Sequence, residues 1–393
     1  MTSDSTQRAI DKIARLTGEA RDLAEFWREC TEVIGTVVPY YWTPCWYTLD
    51  PASLLITSHY HHGLSEFPAD WLAHEYYGDD VNKIADIAVS EAGVATLREA
   101  TGGDPTSSPR YHINLGLGGE QEIITRLRTA SGQVWGALGL YREPGRALFD
   151  DTDKRLLRAL SPHLAEGARR ALLIGEATEP DTPNSPGLVI LDQHWNIAST
   201  TPGTERWLAE LPDPDHDSSP DSGRAPPAVL AVAGRARRIA EHPTHPAGIT
   251  VARVRSRSGS WLVLHGAVLR ESGQPRTAII IEAAQPARIF PLLMSAYHLT
   301  TREQDITHQV LHGASTAQIA RELHMSPHTV QQHLKGVFDK TGVRSRPELV
   351  GRIFFTHYEP RFRDNERRTT DNRPMRGGPA ALNRNTADPP PST

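Results

Sequence analysis

One stretch near the C-terminus constrains the fold more than any other: TAQIAREL-HM-SPHTVQQHLKGVFDK, residues 316–340. Ile319, Ala320 and Leu323 recur at the three- and four-residue spacing of a packed helix. His324 and Met325 make a short connection. Ser326 then offers a side-chain oxygen to cap a second helix, and Pro327 takes its first position, where a missing N–H costs nothing. Val330, Leu334, Val337 and Phe338 form the apolar stripe of that helix, with Gln331, Gln332, Lys335 and Asp339 on its wet face. Two short helices at a steep angle, the second with an amide-rich face, have the geometry that enters a DNA major groove. Glutamine makes a bidentate hydrogen bond to adenine, and lysine donates to the guanine edge. The pattern alone leaves open a helix whose polar face is merely solvated.

The wider run decides between the two. LTTRE at 299–303, Gly313, QIARELHMSPHTV at 318–330, His333 and KTGVRSRPELV at 340–350 together resemble the LuxR-type (GerE-like) helix-turn-helix of bacterial transcription regulators. The resemblance implies an all-α, four-helix domain over residues 289–358 that binds double-stranded DNA as a homodimer, with RNA polymerase as a further partner. It implies base reading by Gln331, Gln332 and Lys335, and phosphate contacts from Thr329, Arg344 and Ser345. The last helix, from Arg346 to about Phe355, falls where the family pairs its domains. Ala317 departs from the pattern, since many relatives carry Asn or a basic residue there.

A chain of 393 residues has room for two or three domains. Its net charge of −5 requires any DNA binding to be local. Residues 1–176 read as helix, strands, helix, two strands and a closing helix, an α+β order with an antiparallel sheet. Turn residues Ser131 and Gly132 separate the last two strands, and Asp150 or Asp151 caps a helix with Leu156, Leu157, Leu160 and Leu164 inward. The ending QVWGALGLYREPGRALFDDTDKRLLRALSPHLAEG resembles the close of a GAF domain, which implies a cupped sheet that holds a small molecule or serves as a dimer surface. Tyr41, Trp46, His59, Trp71 and Tyr76 are the candidate sensor pocket. Plain core is the alternative for strand aromatics.

Residues 177–186 read as a linker rich in proline and acid. Residues 187–288 resemble a PAS-like module in their order: two strands around a turn at Asp192–His194, short helices, then three strands. Residues 359–393 are rich in Arg, Asn, Pro and Thr and are expected to be disordered.

His59, His61 and His62 tempt a metal reading, but no cysteine or acid is spaced to complete a ligand set, so no metal is expected. NLGLGGEQ at 114–121 lacks the Lys-Ser/Thr ending of a phosphate loop and reads as a loop over the sheet. There is no Gly-x-Ser-x-Gly elbow, His-Glu-x-x-His helix or Walker loop, so an enzyme is not expected, nor a cofactor. Two cysteines, Cys30 and Cys45, are too few for a disulfide framework, and the polar N-terminus lacks the apolar core of a signal peptide. A cytoplasmic, DNA-binding regulator is expected, its upstream modules sensing a small molecule or dimerising. The alternative is a non-sensing scaffold.

Overall fold

In the computed structural model, residues 3–19, 22–42, 44–61, 69–173, 185–212, 224–242, 250–269, 275–284, 294 and 297–357 are described. The expected linker, the tail after residue 358 and His62 fall wholly or largely outside them.

The first unit is built on a five-stranded antiparallel sheet in the order β2-β1-β5-β4-β3. Its strands are β1 (Cys45–Leu49), β2 (Ile56–Tyr60), β3 (Val94–Thr96), β4 (Gln121–Arg128) and β5 (Val134–Arg142). Tyr47 pairs with His59 on one side and Ala137 on the other, while Glu122 pairs with Tyr141. Because side chains alternate along a strand, Tyr47, His59, Tyr141 and Glu122 share one face and Trp46 takes the other.

The Trp46 face packs on α1 (Ser3–Gly18), α2 (Leu23–Gly35) and α7 (Asp151–Leu173), burying Ile13, Phe26, Ile34, Leu157 and Leu164 with Ile123 and Leu138. Trp46 stacks on Trp27 at 4.3 Å and donates its indole N–H to Thr31 Oγ1 at 2.9 Å. Phe26 lies against Gly167, where a Cβ would collide with its ring, so α2 and α7 touch through a glycine. Asp150 caps α7 by accepting from the Thr152 and Asp153 amides at 2.7 and 3.0 Å.

The Tyr47 face is covered by α3 (Ala69–Tyr77), α4 (Ile84–Val89) and α6 (Pro109–Gly116). Helix α5 (Leu97–Ala100) follows β3 at the sheet edge. Helix α6 runs through Asn114 to Gly116 and β4 starts at Gln121, so only 117–120 of the expected loop at 114–121 is a loop. The side chain of Ser108 caps it and Pro109 opens it.

The second unit repeats the strand plan. Its sheet runs β7-β6-β10-β9-β8, with β6 (Gly187–Leu191), β7 (Ile197–Thr200), β8 (Val251–Arg255), β9 (Trp261–Leu269) and β10 (Arg276–Ala283). Numbered within its own unit, each sheet reads 2-1-5-4-3. Helix α8 (Thr204–Glu210) and the apolar α9 (Pro227–Glu241) complete it. Helix α9 is buried along most of its length because it is sandwiched, with its own sheet on one side and α3 on the other.

The two units share one core, in which Trp71, Leu72 and Ala73 join Val229, Leu230 and Val232. Gly234 meets the Ala73 carbonyl so closely that a Cβ would not fit. Asp50 takes a three-point grip from Arg253: the backbone amide at 3.0 Å, Nε at 3.1 Å and a guanidinium nitrogen at 2.5 Å. Arg255 donates to the Leu172 carbonyl at 2.7 Å.

The C-terminal unit is all-α, with α10 (Thr301–Leu311), α11 (Thr316–Glu322), α12 (Pro327–Thr341) and α13 (Arg346–His357). Ile306, Val310, Ile319, Val330, Leu334, Val337, Leu349 and Ile353 form its core. The chain enters it through His298, in a left-handed conformation at φ 56°. That imidazole bridges Glu166 Oε2 at 2.6 Å and Ser131 Oγ at 3.1 Å, joining this unit to α7 and to the β4–β5 turn. The expected α+β order, with two antiparallel sheets before a helical unit, is the observed one. No helix among the described residues is long and apolar enough to cross a membrane.

Candidate nucleic-acid interface and sheet cup

The helix N-termini of this unit are capped by side chains of its own sequence. Thr300 and Glu303 form a reciprocal capping box on α10, as Ser315 and Gln318 do on α11. Each box satisfies backbone N–H groups that the first turn leaves unpaired. Ser326 caps α12, its Oγ accepting from the Thr329 amide at 3.0 Å, and Pro327 sits at the first turn. His324 makes the turn between α11 and α12 at φ 53°, which a residue without a β-branch adopts more readily.

Val330, Leu334 and Val337 hold α12 from beneath. Gln331, Gln332 and Lys335 all stand exposed on its outer side. The Gln331 amide reaches Thr316 Oγ1 at 3.3 Å, and Gln332 meets the His328 ring nitrogen at 3.2 Å. These are long contacts that a base edge can replace. Thr329 is half-buried, with its hydroxyl 2.8 Å from Ser326 Oγ. The Arg344 side chain is exposed, and its amide donates to Glu348 Oε2 at 2.7 Å. Ser345 Oγ accepts from the Glu348 amide at 3.3 Å, so it caps α13. Residues 297–352 carry seven Lys and Arg against five Asp and Glu, a local positive excess within an acidic chain.

Two structural anchors escaped the sequence reading. Arg346 crosses from α13 to the Ala314 carbonyl at 2.8 Å and Thr316 Oγ1 at 2.9 Å, fixing the start of α11. Lys340 on α12 pairs with Glu303 Oε2 at 2.6 Å. Burial works against the Glu303 charge, but Lys340 and the Thr300 amide and hydroxyl outweigh it and hold the carboxyl below its ordinary range.

The five aromatic and histidine candidates upstream do not form one group. His59, Trp71 and Tyr76 lie on the cup side of the first sheet, all buried. Trp46 lies on the opposite side, and Tyr41 is 47% exposed beside Gly118. Within the cup, His59 stacks on Tyr47 at 4.7 Å and Tyr47 on Trp71 at 5.9 Å, with the Arg110 guanidinium 4.7 Å from the Trp71 ring. Burial, then His61 and Arg224, push the His59 imidazole well below its usual value, so it is neutral. Tyr76 ties its hydroxyl to both the Ile56 amide and the Leu54 carbonyl.

Arg110 is held between two buried carboxylates, Glu75 and Glu122. Asn82 and Asn114 donate to the two Glu122 oxygens at 2.7 and 2.8 Å. Burial opposes the Arg110 charge, but the two carboxylates prevail and raise its pKa. The sequence reading missed this polar centre. Its one signal was an acid, Glu122, on the strand face it shares with Ile124, Arg126 and Arg128. Among the described residues, no group of three or more His, Cys, Asp or Glu side chains is arranged to hold a metal ion.

The geometry of the last unit defines a helix-turn-helix domain. Residues 297–352 match the profile of the GerE domain, described as bacterial regulatory proteins of the luxR family, so the C-terminal unit is a LuxR-type helix-turn-helix. It is 48% identical over 56 residues to the monoamine regulon transcriptional regulator of Klebsiella aerogenes, covering 14% of this chain and 25% of that protein. It is 46% identical over 52 residues to an HTH-type transcriptional regulator of Mycobacterium bovis, covering 13% of this chain and 6% of the relative. The chain thus spans a quarter or less of these relatives, and the likeness is that of the DNA-binding segment. Among solved structures, Escherichia coli SdiA aligns over 86% of this chain and 92% of its own at 13% identity, with a TM-score of 0.27. Vibrio cholerae VqmA covers 44% and 82% at 18% identity, with a TM-score of 0.20. Superpositions that loose do not bear on the upstream units.

Proposed function

We propose that this protein is a sequence-specific, DNA-binding transcriptional regulator, acting in the cytoplasm as a homodimer. One observation carries the reading: α12 exposes Gln331, Gln332 and Lys335 together while its opposite face is locked into a capped four-helix core. In this reading those three side chains contact bases, and Thr329, Arg344 and Ser345 contact phosphate. Dimerisation places two such helices on symmetric half-sites. Val350 and Pro347 on α13, beside Val310, offer an apolar surface for that pairing.

The same reading takes the first unit as a GAF-like sensor and the second as a PAS-like module. The shared 2-1-5-4-3 strand order supports it. The sensor surface is the cup built from His59, Tyr47, Trp71, Tyr76 and Arg110, rather than the five residues grouped from sequence. A signal molecule acts by preferring one conformation of the upstream block, and that preference sets how far it biases DNA binding.

Selection of bound sequences from random DNA tests the proposal, with the full chain and separately with residues 289–358. A shared palindromic preference is the expected result. No preference from either leaves the upstream units as a scaffold.

A further inference from the structure

We propose that the junction between the two sheet units is a ligand site in its own right, taking a small molecule that carries one carboxylate or phosphate beside an apolar body. This goes beyond the sensor cup, which lies within the first unit. The observation is a cavity of about 570 Å³ whose walls come from both units. Tyr76, Val81, Lys83 and Ala85 line it from the first, Arg235 and Ile239 of α9 from the second. Its size is that of pockets that hold small organic ligands.

The charges decide what fits. Four acids also line the cavity, but three are already engaged. Glu75 is bound by Arg110, and Asp79 by Arg238 at 2.7 Å. Asp80 accepts from the Val81 amide, the Ser108 hydroxyl and the Arg110 amide, each at 2.8 Å. The fourth, Asp86, lines the same cavity and is exposed to solvent.

The cations are differently placed. Arg235 lies over the Tyr76 ring at 5.2 Å and has no hydrogen bond or ion pair with a described residue. Lys83 is buried, and its ammonium donates to the Gly78 carbonyl alone among the described residues. Burial and then the neighbouring Arg238 disfavour the Lys83 charge and outweigh Glu75, Asp86 and Asp79, which favour it, and an arriving anion relieves the remaining penalty. Two donors with no hydrogen bond or ion pair to a carboxylate among the described residues share the cavity with Tyr76, Val81, Ala85 and Ile239, which matches an anionic head on an apolar body.

The consequence is mechanical. A molecule bridging Lys83 and Arg235 links the α3–α4 corner to α9, so it binds only when the units are seated as they are here. Glu75 carries the effect inward, because it lines the junction and holds Arg110 in the cup.

Isothermal titration of the full chain without DNA tests this independently of the DNA-binding reading. The probes are phenylacetate, phenyl phosphate, benzyl alcohol and benzylamine. The expected result is saturable binding of one or both anions at one equivalent, and none of the alcohol or amine. Binding of phenylacetate alone identifies a carboxylate ligand, and of phenyl phosphate alone a phosphate ligand. Arg235→Gln is expected to weaken anion binding about tenfold or more, by loss of a charge-assisted contact. Ala85→Leu, which fills the cavity and leaves every charge in place, is expected to weaken it as well. Binding of benzylamine, absence of binding by both anions, or anion binding unchanged in both variants overturns the proposal.

Discussion

Lys340 near the end of α12 reaches across to Glu303 in the first turn of α10, 2.6 Å from Oε2. That carboxylate also accepts from the Thr300 amide at 2.7 Å, so one oxygen serves both the cap of one helix and the seating of another. Gly336 makes the approach possible, because a Cβ there would stand 2.7 Å from Glu303 Oε1. Glu303→Ala is expected to destabilise the C-terminal unit by about 1–2 kcal/mol, the scale of a lost helix cap. Thermal unfolding followed by helical circular dichroism measures this.

The α12 surface separates two kinds of DNA contact. Gln331→Ala, Gln332→Ala and Lys335→Ala are expected to relax preference at particular base pairs, by about 1–3 kcal/mol for each good bidentate contact. Arg344→Ala is expected to weaken all sequences alike and to flatten the dependence of affinity on salt by about one phosphate's worth. Binding-site selection and salt titrations on the same variants distinguish these patterns. Unchanged preference in all three α12 variants would remove them as readers.

Acid is expected to loosen the first unit through His59. The folded state keeps this imidazole neutral, its pKa pushed well below the ordinary 6.5, so the unfolded chain binds the proton first. Stability from this group is full above the unfolded value and falls as pH drops below it toward the depressed folded value. His59→Phe keeps the stacked ring and removes the titration. A urea midpoint that declines as steeply from pH 7 to 5 in the variant as in the parent would show that other groups dominate.

Breaking the Asp50–Arg253 grip is expected to cost more than breaking a surface pair. Asp50 is 2% exposed, so Arg253→Ala strands a buried charge, and removing one partner of such a pair costs about 3–5 kcal/mol. Asp50→Asn combined with Arg253→Met is expected to recover much of the loss, since neither charge is then left alone. Denaturant titration of the singles and the double measures the coupling.

Much of this was legible in the chain, and the failures have one cause. Periodicity and caps are local, so Ser326, Pro327 and the α12 stripe, Asp150 before α7, and the turn at Ser131-Gly132 could be read directly. Partnerships across the fold could not. Arg110 lies 35 residues from Glu75, and each alone looks like a solvated charge. The sensor candidates came together only in part, His59, Trp71 and Tyr76 on the cup side and Trp46 and Tyr41 away from it, for a related reason. Neighbouring strand residues face opposite ways, so Trp46 and Tyr47 could not both point into the cup. Only the register, which sets His59 beside Tyr47, shows which one does.

The core common to the two sheet units bears on what counts as a separable piece. Composition marks a boundary near residues 177–186, yet Ala73 and Gly234 touch across it, as do Asp50 and Arg253. A protease that cuts between 174 and 184 would therefore yield two fragments that stay together, eluting as one species in size-exclusion chromatography and separating only in denaturant. Expressed alone, either half would present the apolar flank of α3 or α9 to water, and aggregation would be the ordinary fate of such a truncation.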